Sequence, residues 1–196
     1  MERSVSLPEK NLQPYLSHEE YFALEEGLQQ KFEYVAGEVF AMTGGSVSHG
    51  SICANSVTTL MKNLWDKPCR VFGSDVKLHI NDVDSFFYPD AMVLCEDGEI
   101  DEKHVQSPQI IIEVLSPSTS DYDHGKKFAY YRQIKTLQTY VMLHQDKPLA
   151  EVYQRCDDNA WLLNEYIGLD VVITINDDLT LSMADLYRKI EFNLSS

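Results

Sequence analysis

No stretch of this 196-residue chain stays apolar for long. A bilayer-spanning helix needs roughly 20 consecutive apolar residues, so the sequence predicts no transmembrane helix. The opening "MERSVSLPEKNLQPYLSHEE" lacks an apolar core of the secretory kind, and the expectation is a cytoplasmic protein. Cysteines are few and scattered. Cys53, Cys69, Cys95 and Cys156 include no Cys-x-x-Cys pair, which argues against a structural zinc site and gives no reason to expect a disulfide framework. Paired histidines at i, i+4 are also missing, and His79, His104, His124 and His144 have no ligand spacing among themselves, so no zinc hydrolase is expected. "MTGGSVSHGS" lacks the lysine and spacing of a phosphate-cradling loop. Basic residues are scarce, 16 against 31 acidic ones, for a net charge of −15. That balance opposes generic nucleic-acid binding, which shows a basic footprint. One run, "HGKKFAYYRQIK", is locally basic through Lys126, Lys127, Arg132 and Lys135.

What is present is ordinary globular material, 44% hydrophobic and 24% charged. The length fits one domain with a real core. The expected organisation is a single domain over 1–196. Its core runs from about 46 to 145, with an N-terminal helix and hairpin over 15–42 and a C-terminal β meander and helix over 149–192. "SHEEYFALEEGLQQ" opens with Ser17 and has Glu20 three residues on, the spacing of a capping box. "KFEYVAGEVFAM" alternates around Gly37 as a hairpin, with Glu33 and Glu38 on its arms. Val57, Leu60, Met61 and Leu64 form the buried stripe of a helix from about Ser48 to Trp65, stopped by Pro68. "CRVFGSDVKLHI" and "DSFFYPDAMVLCE" each read as a strand, the second entered through Pro89, and "PQIIIEVLS" reads as the most buried strand. "SPSTSD" is turn chemistry before a helix from Asp123 to about Ile134, and "QTYVMLH" is a short strand. "LAEVYQRC", "AWLLNEYI" and "DVVITI" read as an antiparallel meander, and "SMADLYRKI" as a closing helix. The central order of helix, strand, strand, strand, helix, strand defines a mixed α/β (α+β) fold with a mixed sheet.

The oddity in that pattern is Glu113, which interrupts the apolar run "IIIEVL". On an extended strand Gln109, Ile111, Glu113 and Leu115 share one face, and Ile110, Ile112 and Val114 share the other. A buried carboxylate is costly unless it is paired, hydrogen-bonded or bound to a metal. A salt bridge or a strand end reaching solvent would suffice. Asp90, in "YPDAMVL" 23 residues earlier, opens the preceding strand. If the two strands pair, both carboxylates converge on one point, as hard oxygen ligands for Mg²⁺ do. Lys127 joins Tyr130, Tyr131 and Ile134 on the apolar stripe of the following helix. An i−4 pair with Asp123 or a snorkelling stem would also account for it. Glu33 reads as a further carboxylate or an exposed hairpin acid, and His49 as a phosphate contact or a capping residue.

These residues together resemble the PD-(D/E)XK superfamily of restriction-endonuclease-like nucleases. Its signature is Pro-Asp followed by Glu-x-Lys, here "YPDAMVL" and "IIEVLS", with Leu115 where the lysine usually stands. Some branches carry the lysine on the next helix, and "EVLSPSTSDYDHGKKFAYYR" is similar to one of them, the widespread bacterial Uma-type endonucleases. The similarity takes in Glu33, Gly37, Glu38 and His49 and extends over roughly residues 15 to 155. The resemblance implies a restriction-endonuclease-like core and Mg²⁺- or Mn²⁺-dependent cleavage of a nucleic acid phosphodiester, DNA first. It assigns the metal to Asp90, Glu113 and the backbone carbonyl of Val114. Lys127 becomes the catalytic lysine, with Glu33 and His49 as additional candidates. Nucleases of this fold often pair to cut both strands, so a homodimer is compatible with it. The alternative is a non-catalytic protein-binding or assembly module that keeps the fold, which the acidic composition favours. A third reading is a hydrolase of some other phosphoester.

Overall fold

The computed structural model describes residues 15–42, 44–96, 98–101, 103–117, 120–157 and 160–192. Most of the opening stretch, Ser118 and Thr119 of the "SPSTSD" turn, and Asp158 and Asn159 of the "DDNA" turn lie outside the described residues. The first element among the described residues is α1 (His18–Leu28), capped by the expected box: Ser17 N–H donates to Glu20 Oε2 at 2.8 Å, and Glu20 N–H donates to Ser17 Oγ at 3.3 Å. β1 (Phe32–Val35) and β2 (Glu38–Ala41) form the expected hairpin. Ala36 and Gly37 at its turn have φ of 47° and 93°. Two consecutive positive φ values match the twist of the flanking strands, and glycine takes the second without strain.

α2 (Val47–Asn63) follows, with Ser46 Oγ accepting from His49 N–H at its N-cap. Next come β3 (Cys69–Gly73), β4 (Lys77–Ile80), a 3₁₀ turn, β5 (Ser85–Phe87), β6 (Ala91–Cys95), β7 (His104–Val105) and β8 (Ile110–Leu115). "CRVFGSDVKLHI" is therefore two strands and not one, and so is "DSFFYPDAMVLCE". β3 and β6 lie in a six-stranded sheet, while β4 and β5 lie in a five-stranded sheet of order β2-β1-β5-β4-β7. The chain changes sheets at "GSD" and again at Tyr88-Pro89-Asp90, where proline has no amide to give to either ladder.

From β8 the chain enters one helical segment made of α3 (Ser120–Tyr122), a π-helical stretch (Asp123–Lys127) and α4 (Phe128–Tyr131). It returns as β9 (Thr139–His144), parallel to β8. β10 (Leu149–Arg155) and β11 (Trp161–Ile167) extend the six-stranded sheet, of order β11-β10-β9-β8-β6-β3. β12 (Val172–Asn176) leaves the expected meander, because it pairs with β13 (Leu179–Ser182) in a separate two-stranded sheet before α5 (Met183–Leu186).

Every residue of β8 is buried, and its two faces feed different cores. Ile110, Ile112 and Val114 pack with α2, the small sheet and α5. Ile111 and Leu115 pack with the helical segment and the five-stranded sheet, so Leu115 fills core volume at the position usual for lysine. The mixed α/β fold with a mixed sheet is as expected. No helix among the described residues is long and apolar enough to cross a membrane.

The expectation for the cysteines fails as well. Cys69 and Cys95 are disulfide-bonded. The register of β3 against β6 sets them directly opposite each other, a relationship that linear spacing does not reveal. Cys53 and Cys156 are free.

Candidate active site

Antiparallel pairing of β6 with β8 ends at Ala91 opposite Ile112, so Asp90 stands opposite Glu113 one position beyond. The chain has just left the other sheet there, and a side chain takes over the ladder. Asp90 Oδ2 accepts the Val114 N–H at 2.8 Å. In a strand the N–H and C=O of one residue point the same way, so the Val114 carbonyl also faces Asp90. His49, on the first turn of α2, places Nε2 at 3.4 Å from Asp90 Oδ2 and also bonds to the Val114 backbone. Burial alone pushes the Asp90 carboxyl up, but His49, the Val114 amide and Lys127 together hold it below its usual range. Asp90 in turn raises His49 above the ordinary imidazole value, against burial.

Glu113 is 4% exposed. Its Oε1 receives Lys127 Nζ at 2.9 Å and the Tyr131 hydroxyl at 2.7 Å. Burial pushes this carboxyl up from its usual range, and the Lys127 ammonium pulls against it to keep it ionised. Lys127 is equally buried and stands 2.9 Å from Glu33 Oε1 as well as from Glu113, with Asp123 Oδ1 further off at 3.7 Å. Burial works against its charge, yet Glu113 and Glu33 hold Lys127 ionised well above the ordinary lysine range. The i−4 pair with Asp123 is thus the longest of its three contacts. Lys126, next in sequence, is exposed.

Asp123 and Lys127 open and close a π-helical stretch, and both are buried. Glu33 is no exposed hairpin acid either, being 8% exposed at the back of β1.

One cleft of about 380 Å³ is lined by Glu33, His49, Asp90, Glu113, Val114 and Lys127, all of the residues singled out in the sequence, together with Asp123, Tyr122 and Gln145. Four carboxylates there face one lysine and one histidine, so negative charge is in excess. The donor set of Asp90, Glu113 and the Val114 carbonyl is made of hard oxygens, which fits Mg²⁺ or Mn²⁺.

Sequence reading missed Asp123 and Tyr131 as site residues. Asp123 reads in the sequence only as an i−4 partner of Lys127, and Tyr131 reads as core because it is core. Cys53 was missed too. Its Sγ lies 3.4 Å from His49 Nδ1, completing a Cys53–His49–Asp90 line. Burial, with Asp90 adding to it, drives that thiol far above its ordinary value, so it is not a thiolate nucleophile.

The fold matches the crystal structure of "a putative nuclease belonging to DUF820" from Anabaena variabilis ATCC 29413, with a TM-score of 0.65. The match covers 84% of this chain and 96% of that one at 20% identity. The chain belongs to the Uma2 family, described as "Putative restriction endonuclease", which it matches over residues 18–186. It is also similar to two proteins of Synechocystis sp. (strain ATCC 27184 / PCC 6803 / Kazusa), both named as uncharacterized. The first, sll1609, is 35% identical over 156 residues, 78% of this chain and 88% of that protein. The second, slr1290, is 34% identical over 182 residues, 91% and 95% respectively.

Proposed function

We propose that this chain is a divalent-metal-dependent endonuclease that hydrolyses phosphodiester bonds of DNA. The observations that support the reading are that Asp90, opposite Glu113 in register, accepts the Val114 N–H at 2.8 Å, and that Lys127 Nζ is held 2.9 Å from Glu113 Oε1. Asp90, Glu113 and the Val114 carbonyl are the residues that would hold Mg²⁺ or Mn²⁺. When bound, such an ion supplies a more acidic water and neutralises charge on the scissile phosphate.

The chain's own groups do the positioning. Lys127 Nζ has protons to donate and is kept ionised by two buried carboxylates. It can hold the attacking water, or a non-bridging phosphate oxygen, by a charge-assisted hydrogen bond. Tyr131 and Glu33 fix Glu113 and Lys127 in place through bonds of 2.7 and 2.9 Å. His49 Nε2, at the mouth of the cleft beside Asp90, offers a donor for a phosphate oxygen.

A net charge of −15 repels a polyanion. The basic run offsets this in part, since Lys126, Arg132 and Lys135 are all exposed. With one such site per chain, cutting both strands calls for two copies, so nicking should precede linearisation.

Supercoiled plasmid incubated with the metal-stripped protein tests the reading. Nicked product should appear on adding Mg²⁺ or Mn²⁺ and fall by about 10²–10³-fold or more with Glu113→Ala. Cleavage that survives Glu113→Ala, or proceeds with chelator present, would overturn it.

A further inference from the structure

His124, His144 and Glu151 have no ligand spacing in the sequence, yet the fold gathers them where the helical segment meets β9 and β10, apart from the Asp90–Glu113 pair. Glu151 pairs with Met142 across β9 and β10, so His144 is its diagonal neighbour, and His124 descends from the π-helical stretch. Their ligand atoms all lie within 4.8 Å of one another.

Both imidazoles aim Nε2 at one atom. Glu151 Oε1 lies 2.9 Å from His124 and 2.7 Å from His144. The other nitrogen of His124, Nδ1, lies 2.7 Å from the Ser120 carbonyl oxygen. Only a protonated nitrogen approaches a carbonyl oxygen this closely, so Nδ1 carries the proton. In the neutral ring Nε2 then presents a lone pair, and it faces a carboxylate oxygen that also only accepts. At these hydrogen-bond distances a second ring proton supplies the missing positive charge, and a metal ion would take that proton's place with a small parting of the ligand atoms. A backbone carbonyl holding Nδ1–H is also the support that fixes a metal-ligating histidine with Nε2 free.

We propose that His124, His144 and Glu151 form a site for a transition metal ion of the Zn²⁺ class, separate from the Asp90–Glu113 cleft. Two imidazoles and one carboxylate suit Zn²⁺ over Mg²⁺ and leave a fourth tetrahedral position for water. All three side chains are partly exposed, so an ion has a path in. Bound there, the ion ties the π-helical stretch to β9 and β10, and the same stretch carries Asp123 and Lys127. The site is thus placed to steady the lysine without touching substrate.

The test uses the full chain stripped of metal, titrated with Zn²⁺ by calorimetry, with the loaded protein examined by X-ray absorption. One tight equivalent is expected, with only nitrogen and oxygen at about 2.0–2.1 Å, imidazole outer-shell scattering and a rise in Tm. His144→Ala should abolish the rise in Tm and weaken binding by more than the roughly 10–100-fold lost with a merely supporting group. Cys53→Ser and Asp90→Asn should leave the tight equivalent intact. A sulfur neighbour at about 2.3 Å, or loss of the tight equivalent in Cys53→Ser, would assign the ion to His49, Cys53 and Asp90 and overturn the proposal. No tight equivalent at all would overturn it equally. Should His144→Ala fail to fold, the absorption spectrum of the wild-type protein decides alone.

Discussion

Lys127 and Glu113 lie on different elements, yet their charged atoms meet at 2.9 Å with both side chains buried. Neither charge is tolerable there without the other. Removing one member of a buried pair strands its partner, at a cost of about 3–5 kcal/mol. Lys127→Met should lower stability by that order in urea unfolding, because Glu33, Glu113 and Asp123 lose their shared cation. Added Mn²⁺ should restore part of the stability by neutralising the carboxylates, while cleavage stays absent. A Lys127→Met protein that still cleaves plasmid would remove the lysine from the mechanism.

Tyr131 presents a second, separable support. Its hydroxyl donates to Glu113 at 2.7 Å inside the core. Tyr131→Phe keeps the ring and deletes one hydrogen bond to a charged group, worth about 2 kcal/mol. The variant should bind Mn²⁺ roughly 10-fold more weakly, as expected when a metal ligand loses its supporting bond. Calorimetric titration distinguishes this from an unchanged affinity, which would make Tyr131 a packing residue only.

Cys69 and Cys95 close a loop of sequence separation 26 between the ends of β3 and β6 remote from Asp90. Chain-entropy reasoning gives about 3–4 kcal/mol for a loop of this length. Cys69→Ser with Cys95→Ser should therefore lower the unfolding free energy by up to that amount. Cleavage at temperatures where the variant is folded should be unaltered, since the opposite end of β6 holds the site. Equal stability of the variant and the wild-type protein would show that the bridge contributes nothing.

His79 stacks on Phe86 at 4.2 Å, with the His104 and His18 rings at 5.8 and 5.9 Å. Burial, then the neighbouring histidines, lowers its pKa from 6.5 against the opposing pull of Asp84 and Asp101. Below pH 6.5 the unfolded chain takes up a proton that the folded chain refuses, so this contribution is present above 6.5 and is lost as pH falls through it. His79→Phe keeps the stack and removes the titration. Its Tm should fall less than that of the wild-type protein between about pH 7.5 and 5.5. Parallel curves for the two would contradict the assignment.

The carboxylate–lysine set was legible because each member violates a local pattern. Glu113 breaks an apolar strand, Asp90 follows a proline at a strand start, and Lys127 occupies an apolar helix stripe. Leu115 was legible as a departure, and its burial shows why a lysine there would have to leave the core. Other features depend on pairing across space. The switch of β4 and β5 into another sheet leaves no mark in alternation, because alternation within one strand does not report which strands it pairs with. The Cys69–Cys95 bridge and the His124–His144–Glu151 cluster follow from strand register, which a single sequence does not encode locally. The π-helical stretch is invisible for a further reason: one inserted residue in a short helix changes phase without changing composition.

Anomalous diffraction from a crystal soaked in Mn²⁺ bears most directly on the account. A peak is predicted within about 2.1–2.2 Å of carboxylate oxygens of both Asp90 and Glu113 and of the Val114 carbonyl oxygen, with Lys127 Nζ directed at a metal-bound water. A strong peak that touches neither Asp90 nor Glu113, or a fully soaked cleft without one, would contradict it.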